Sequence, residues 1–154
     1  MTDAIRIVAT NRKAYHDFHI LEKYEAGIVL EGAEVKSIRQ GLLNLKESFA
    51  RILKGEAWLI GCHITPYKQA TQFRQPDPLR HRKLLLKKKE IRKLIGKVEE
   101  KGLVLIPLSM YFSKQYLKVE LALGKAKKMY DKRDALKERD IKREVQRSLA
   151  DRND

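Results

Sequence analysis

Cysteine is almost missing from this 154-residue chain: Cys62 stands alone, which excludes a disulfide framework. Its neighbour His63 and the scattered His16, His19 and His81 offer no second-ligand spacing, so no metal site is expected. The Cys62–His63 pair does not read as a nucleophile and its base either, because adjacent residues on a strand point to opposite faces. Glycine is sparse, and Gly27 and Gly32 lie too far apart to form a phosphate-cradling loop. No apolar run approaches the ~20 residues that cross a bilayer, and Met1-Thr2-Asp3 lacks a signal-peptide pattern. These absences predict a soluble cytoplasmic chain without cofactor or membrane partner. Acidic residues are also in short supply. Against 34 Lys and Arg there are 20 Asp and Glu, a formal net charge of +14.

The excess is concentrated in one stretch. From Arg80 to Lys101 there are ten Lys or Arg against three Glu, and the triplet Leu84-Leu85-Leu86 sits between two cationic groups. A basic segment with its own apolar residues is folded backbone carrying a cationic face. A solvated surface helix would balance its cations with acids, so this imbalance predicts a polyanion partner. Anionic lipid would call for a basic helix with a bulky apolar face. The mixture of basic residues with strand-like segments favours nucleic acid.

Around this stretch the pattern is mostly extended. Ile5, Ile7 and Ala9 alternate as a short opening strand, followed by polar, basic Asn11 to Asp17. Phe18 to Leu30 reads as a long strand with a bend or bulge at Gly27, and Gly32 to Gly41 as a short helix with Val35 and Ile38 inward. Leu45 to Leu53 and Ala57 to Ile64 form strands joined by Lys54-Gly55-Glu56, with Phe49 and Trp58 as expected core aromatics. A Pro- and Gln-rich loop over Thr65 to Pro78 precedes the basic stretch. That stretch reads as a strand through Leu84 to Leu86, then a helix from Lys88 to Glu100, with Gly102 closing it. Leu103 to Phe112 and Tyr116 to Leu123 complete the strands. Antiparallel strands with two inserted helices predict a mainly β protein, a small closed or nearly closed barrel spanning residues 1–124.

Residues 125–154 differ in character, with no Gly or Pro, eleven Lys or Arg and seven Asp or Glu. Ile141, Val145 and Leu149 form a thin apolar stripe, too little to order the segment alone. This basic tail is expected to be disordered when free and helical against a partner. Tyr130, flanked by cations, suits stacking on a base. Tyr24, Tyr67 and Tyr111 read as core packing.

Several segments together resemble a known family: Asn11-Arg12-Lys13-Ala14, Tyr24 to Leu30, Glu34-Val35-Lys36-Ser37, Gly55 to Leu59, Asp77-Pro78, Arg82 to Leu86 and Tyr130-Asp131-Lys132-Arg133. Their residues and order resemble the SsrA-binding proteins (small protein B), bacterial partners of transfer-messenger RNA. Ser113-Lys114-Gln115 and Ala126 stand where family members often carry Gly. The resemblance implies an OB-like barrel that binds the tRNA-like domain of that RNA, one protein per RNA. It also implies a non-catalytic role in rescuing ribosomes stalled on messages without a stop codon. It assigns Glu25, Leu86 and Lys118 to tRNA-like-domain recognition, with Asn11, Lys13 and Lys36 on the same face. Tyr130, Asp131, Lys132 and Arg133 would lie near the decoding centre in small-subunit RNA. Lys137, Arg139, Ile141 and Leu149 would lie in the message channel. Two other readings remain at this stage: a ribosomal or ribosome-assembly protein, and an RNA-processing enzyme built on His16, Asp17 and His19.

Overall fold

The computed structural model describes residues 5–67, 75–128 and 143. The protein is mainly β. Its elements run β1 (Ile5–Thr10), α1 (Arg12–Asp17), β2 (Phe18–Ile28), α2 (Gly32–Arg39), β3 (Leu43–Asn44), β4 (Phe49–Leu53), β5 (Glu56–Ile60), β6 (His63–Ile64), β7 (Arg82–Leu85), α3 (Lys88–Lys101), β8 (Val104–Ser113) and β9 (Tyr116–Ala126). In the seven-stranded antiparallel sheet the order is β1-β8-β4-β5-β7-β2-β9, and β8 also pairs with β9. That pairing closes β8, β4, β5, β7, β2 and β9 into a ring of strands, with β1 added outside it on β8.

Alternation explains the ring's interior. Ala26 on β2, Leu59 on β5, Leu84 on β7, Leu105 and Met110 on β8, and Val119, Leu121 and Leu123 on β9 are all buried in one cluster. Helices α2 and α3 contribute Ile38 and Leu94, both fully buried. Helix α3 packs its Leu94 row inward, and Gly102 ends it at φ 61°, a left-handed conformation that glycine reaches without strain.

The expected hairpin over Lys54-Gly55-Glu56 is present. Lys54 and Gly55 take φ 51° and 75°, the mirror-image turn that matches strand twist. Other expectations need correction. A third helix, α1, joins the two expected: the Asn11 side chain accepts a 3.3 Å bond from the Ala14 amide, and one cap suffices where periodicity is too short to read. Gly27 is no bulge. It pairs regularly with Leu85 and Lys118, and its missing Cβ admits Leu85, whose Cβ would otherwise stand 3.3 Å away. The irregularity in β2 falls between Ile20 and Glu22. Phe49 and Trp58 are not core aromatics either: Phe49 is 39% exposed because Ala50 takes the inward position on β4, and Trp58 is only partly buried because Ala57 and Leu59 take those positions on β5. In α2 the buried positions are Ala33, Glu34, Ser37 and Ile38, with Val35 only partly covered.

Candidate nucleic-acid interface

Strand pairing assembles an outward-facing charge cluster from β2, β8 and β9. Inward Ala26 and Val119 leave Lys23, Glu25, Lys118 and Glu120 pointing out. The register sets Glu25 opposite Glu120 and Gly27 opposite Lys118. Charges therefore meet diagonally: Lys118 Nζ is 3.6 Å from Glu25 Oε1, and Lys23 Nζ is 3.6 Å from Glu120 Oε1. From β8, Tyr111 donates its hydroxyl to Glu25 Oε2. Tyr111 is only 7% exposed, and burial, aided by Glu25, raises its pKa well above the usual phenol value. It is a permanent donor that holds a largely exposed carboxylate in place. Core packing alone accounted for Tyr111 in the sequence, because an alternating pattern shows a buried ring and not where its hydroxyl ends.

Below this cluster Leu85 is 52% exposed beside Gly27, whereas Leu86 is partly buried against the core. Leu85 is thus the more exposed leucine at this place, and Leu86, the residue favoured by the resemblance, is partly covered because β7 ends between them and the chain bends into α3. Lys36 is exposed on α2. Lys13 is exposed and paired with Glu47, which raises the Lys13 pKa and lowers that of Glu47. Asn11 is a different case. It is 5% exposed, caps α1, and donates 3.0 Å to the Pro107 carbonyl, so its amide is committed inside the protein. Tyr130, Asp131, Lys132, Arg133, Lys137, Arg139, Ile141 and Leu149 lie outside the described residues.

The basic stretch divides into two parts. Arg82 is fully buried: its Nε lies 2.5 Å from Glu34 Oε2, and its other nitrogens donate to Cys62 O at 2.6 Å and Pro78 O at 3.0 Å. Arg80 approaches both Glu34 oxygens from the outside at 3.1 Å. These two arginines lock the loop before β7 onto α2 and are not free for a polyanion. On α3, Lys88, Lys89, Arg92 and Lys93 do face solvent. On its flank Lys97 bonds Glu22, and Lys93 lies 3.7 Å from the same carboxylate, while Tyr24 donates to it as well. The Lys97 and Tyr24 bonds draw the Glu22 pKa down to about 2.

His16 Nδ1 is 2.9 Å from Asp17 Oδ1, a contact between sequence neighbours at the end of α1. Burial pushes the Cys62 thiol up to about 11, which leaves it a protonated core residue. Among the described residues, no group of three or more His, Cys, Asp or Glu is placed to hold a metal ion. None of the helices among them is long and apolar enough to cross a membrane. An apolar groove of about 580 Å³, lined by Phe49, Leu53, Val98, Val104 and Ile106, opens beside β4.

Comparisons with known proteins bear on the chain as a whole. The model of the SmpB protein family matches residues 8–151. The SsrA-binding protein of Sulfurihydrogenibium sp. (strain YO3AOP1) is 61% identical over 144 residues, 94% of each chain. That of Carboxydothermus hydrogenoformans is 58% identical over 144 residues, covering 94% of this chain and 96% of the relative. A solved structure described as "tmRNA-SmpB: a journey to the center of the bacterial ribosome" is 51% identical, with a TM-score of 0.65 over 79% of this chain and 85% of that one. Matches of this extent, on a chain whose outer face carries a tyrosine-held carboxylate among lysines, place it: the protein belongs to the SmpB protein family, the SsrA-binding proteins.

Proposed function

We propose that this protein is the RNA-binding adaptor of trans-translation. It binds transfer-messenger RNA at its tRNA-like domain and delivers it to ribosomes stalled on messages without a stop codon. The observation that carries this is the 61% identity to an SsrA-binding protein across 94% of both chains. The described tmRNA–SmpB structure in the ribosome supports the same partners.

In this reading the ring of strands is an OB-like closed barrel, and residues 1–124 form the RNA-binding unit. Glu25, Lys118 and Lys36, with the leucine pair Leu85 and Leu86, make its recognition face, and Lys13 adds charge. Lysines supply sequence-independent attraction to phosphate. A carboxylate among them can accept hydrogen bonds from base or ribose donors, which attraction alone would not favour. Asn11 serves that face indirectly by capping α1. Residues 125–154 form the second unit: Tyr130, Asp131, Lys132 and Arg133 meet the decoding centre. Lys137, Arg139, Ile141 and Leu149 follow the message channel, where the segment becomes helical. The protein works in the cytoplasm, one copy per RNA, as a carrier with no chemical step of its own.

Affinity purification of the tagged protein, followed by sequencing of the bound RNA, tests this. The expected result is strong enrichment of one abundant structured RNA. Retention on ribosomal subunits through high salt, without that RNA, would favour a ribosomal component instead. Turnover of structured RNA that disappears in His16→Ala would replace the adaptor with a nuclease.

A further inference from the structure

The recognition face proposed above contains none of the cations of α3, although α3 lies in the most basic part of the chain. Lys87, Lys88, Lys89 and Arg92 are all exposed, on the residue before α3 and on its first two turns. Among the described residues, no acidic side chain is paired with any of the four, unlike Lys93 and Lys97, which share Glu22. The single acid of the first turn, Glu90, instead accepts the Lys87 backbone amide at 3.2 Å.

This arrangement runs against helix stability. The macrodipole favours acids in a first turn and cations in a last turn. Here Lys88, Lys89 and Arg92 crowd the first two turns around the one acid Glu90, while the last turn sets Glu99 and Glu100 against the single Lys101. Charges placed against a local rule with no compensating contact point to a partner. An anionic membrane is a poor candidate for it. The apolar row of α3 is turned inward, with Leu94 fully buried and Ile91, Ile95 and Val98 partly so, which leaves no apolar face to enter lipid.

Position identifies the partner. Gly27 of β2 pairs with Leu85 on one side and Lys118 on the other. Leu85 is followed directly by Leu86, Lys87 and α3, so the four cations begin two residues along the chain from the leucine that flanks the Glu25–Lys118 cluster. Along the helix Lys88 and Arg92 are four residues apart, which puts their side chains next to each other. We propose that Lys87, Lys88, Lys89 and Arg92 form a second contact surface, a track for the phosphate backbone of the same RNA strand whose bases or riboses meet Glu25. This rests on the proposed binding of tRNA-like RNA. It adds a site that reads charge where the first reads chemistry.

The test uses the full-length protein and a transcribed tRNA-like domain over a range of salt. The triple variant Lys88→Gln, Lys89→Gln, Arg92→Gln is compared with a charge-matched control, Lys46→Gln, Arg51→Gln, Lys54→Gln, on and around β4 opposite β2 in the ring. Losing three phosphate contacts should reduce the slope of log K against log salt by about 2 to 2.7, with the control changing it by less than ~1. The α3 variant should keep the wild-type melting temperature, since it removes cations from a first turn. A second arm repeats the comparison with purified small ribosomal subunits. Equal slopes for variant and control on both RNAs would overturn the surface. An effect confined to the subunits would overturn the shared strand. If wild type itself ignored the tRNA-like RNA, the underlying function would be wrong; wild-type binding with an unchanged variant slope would remove only α3.

Discussion

Arg82 is the residue whose replacement is most costly for the least visible reason. Sequence places it in a basic stretch, yet its guanidinium is fully buried against Glu34, which is 2% exposed. Arg82→Met keeps the aliphatic bulk and removes the charge together with its bonds to Glu34, Cys62 O and Pro78 O. Breaking one side of a buried ion pair costs roughly 3–5 kcal/mol. Glu34 retains Arg80, so the lower end applies, about 3 kcal/mol, or a fall in Tm of roughly 10 °C for a domain of this size. Glu34→Gln should be worse, since it leaves Arg82 charged and buried opposite a neutral amide. The double variant Glu34→Met, Arg82→Met should lose less than the sum of the singles, because no buried charge remains unpaired. The same group sets a pH dependence. Burial opposes ionisation of Glu34, but Arg80, the Glu31 amide and Arg82 outweigh it and hold its pKa below the ordinary 4.5. A depressed carboxyl pKa stabilises the fold above the unfolded value, and that contribution is lost as pH falls through the folded one. Urea unfolding followed by circular dichroism at neutral and acidic pH measures both effects. A melting temperature for Arg82→Met within ~2 °C of wild type would refute the reasoning, since a buried guanidinium cannot be that dispensable.

On the RNA side, neutralising about five phosphates predicts a log K against log salt slope of roughly −3.5 to −4.5. Lys118→Ala should weaken binding and flatten that slope, whereas Glu25→Ala should weaken binding at nearly constant slope; filter binding across salt separates them, and unchanged affinity in Glu25→Ala would remove it from the site. Tyr111→Phe deletes only the hydroxyl that holds Glu25, a partly solvated carboxylate, so affinity should fall about 3- to 10-fold, in the range of one typical hydrogen bond. The loss should vanish in a Glu25→Ala background, and additive losses in the double variant would show that Tyr111 acts elsewhere. Truncation after Lys128 should leave RNA affinity and melting temperature nearly unchanged while abolishing tagging on stalled ribosomes. Ile141→Asp with Leu149→Asp should do the same in the full chain; normal tagging by either variant would refute the division into two units.

Much of the architecture was legible because it depends on local chemistry. The Lys54-Gly55 turn needs positive φ, and Gly102 can end a helix in a left-handed conformation. Family motifs carried the identity, since several short segments in order are hard to match by chance. The charge excess was legible as a quantity, and the location of the basic stretch with it. What composition could not say is where each cation's charge is satisfied. Arg80 and Arg82 are spent on Glu34, a residue 46 positions before Arg80, because the turn before β7 lies over α2. That Leu85 is exposed and Leu86 partly covered depends on a strand end, which the residue pattern does not mark. Tyr111 and Glu25 are 86 residues apart, and they meet only because β9 pairs with both β2 and β8. The sequence by itself determined strands, turns and net charge, which arise within a few residues. Tertiary structure alone decided which charges remain available, because ion pairs form through space and nothing in chain order marks their partners.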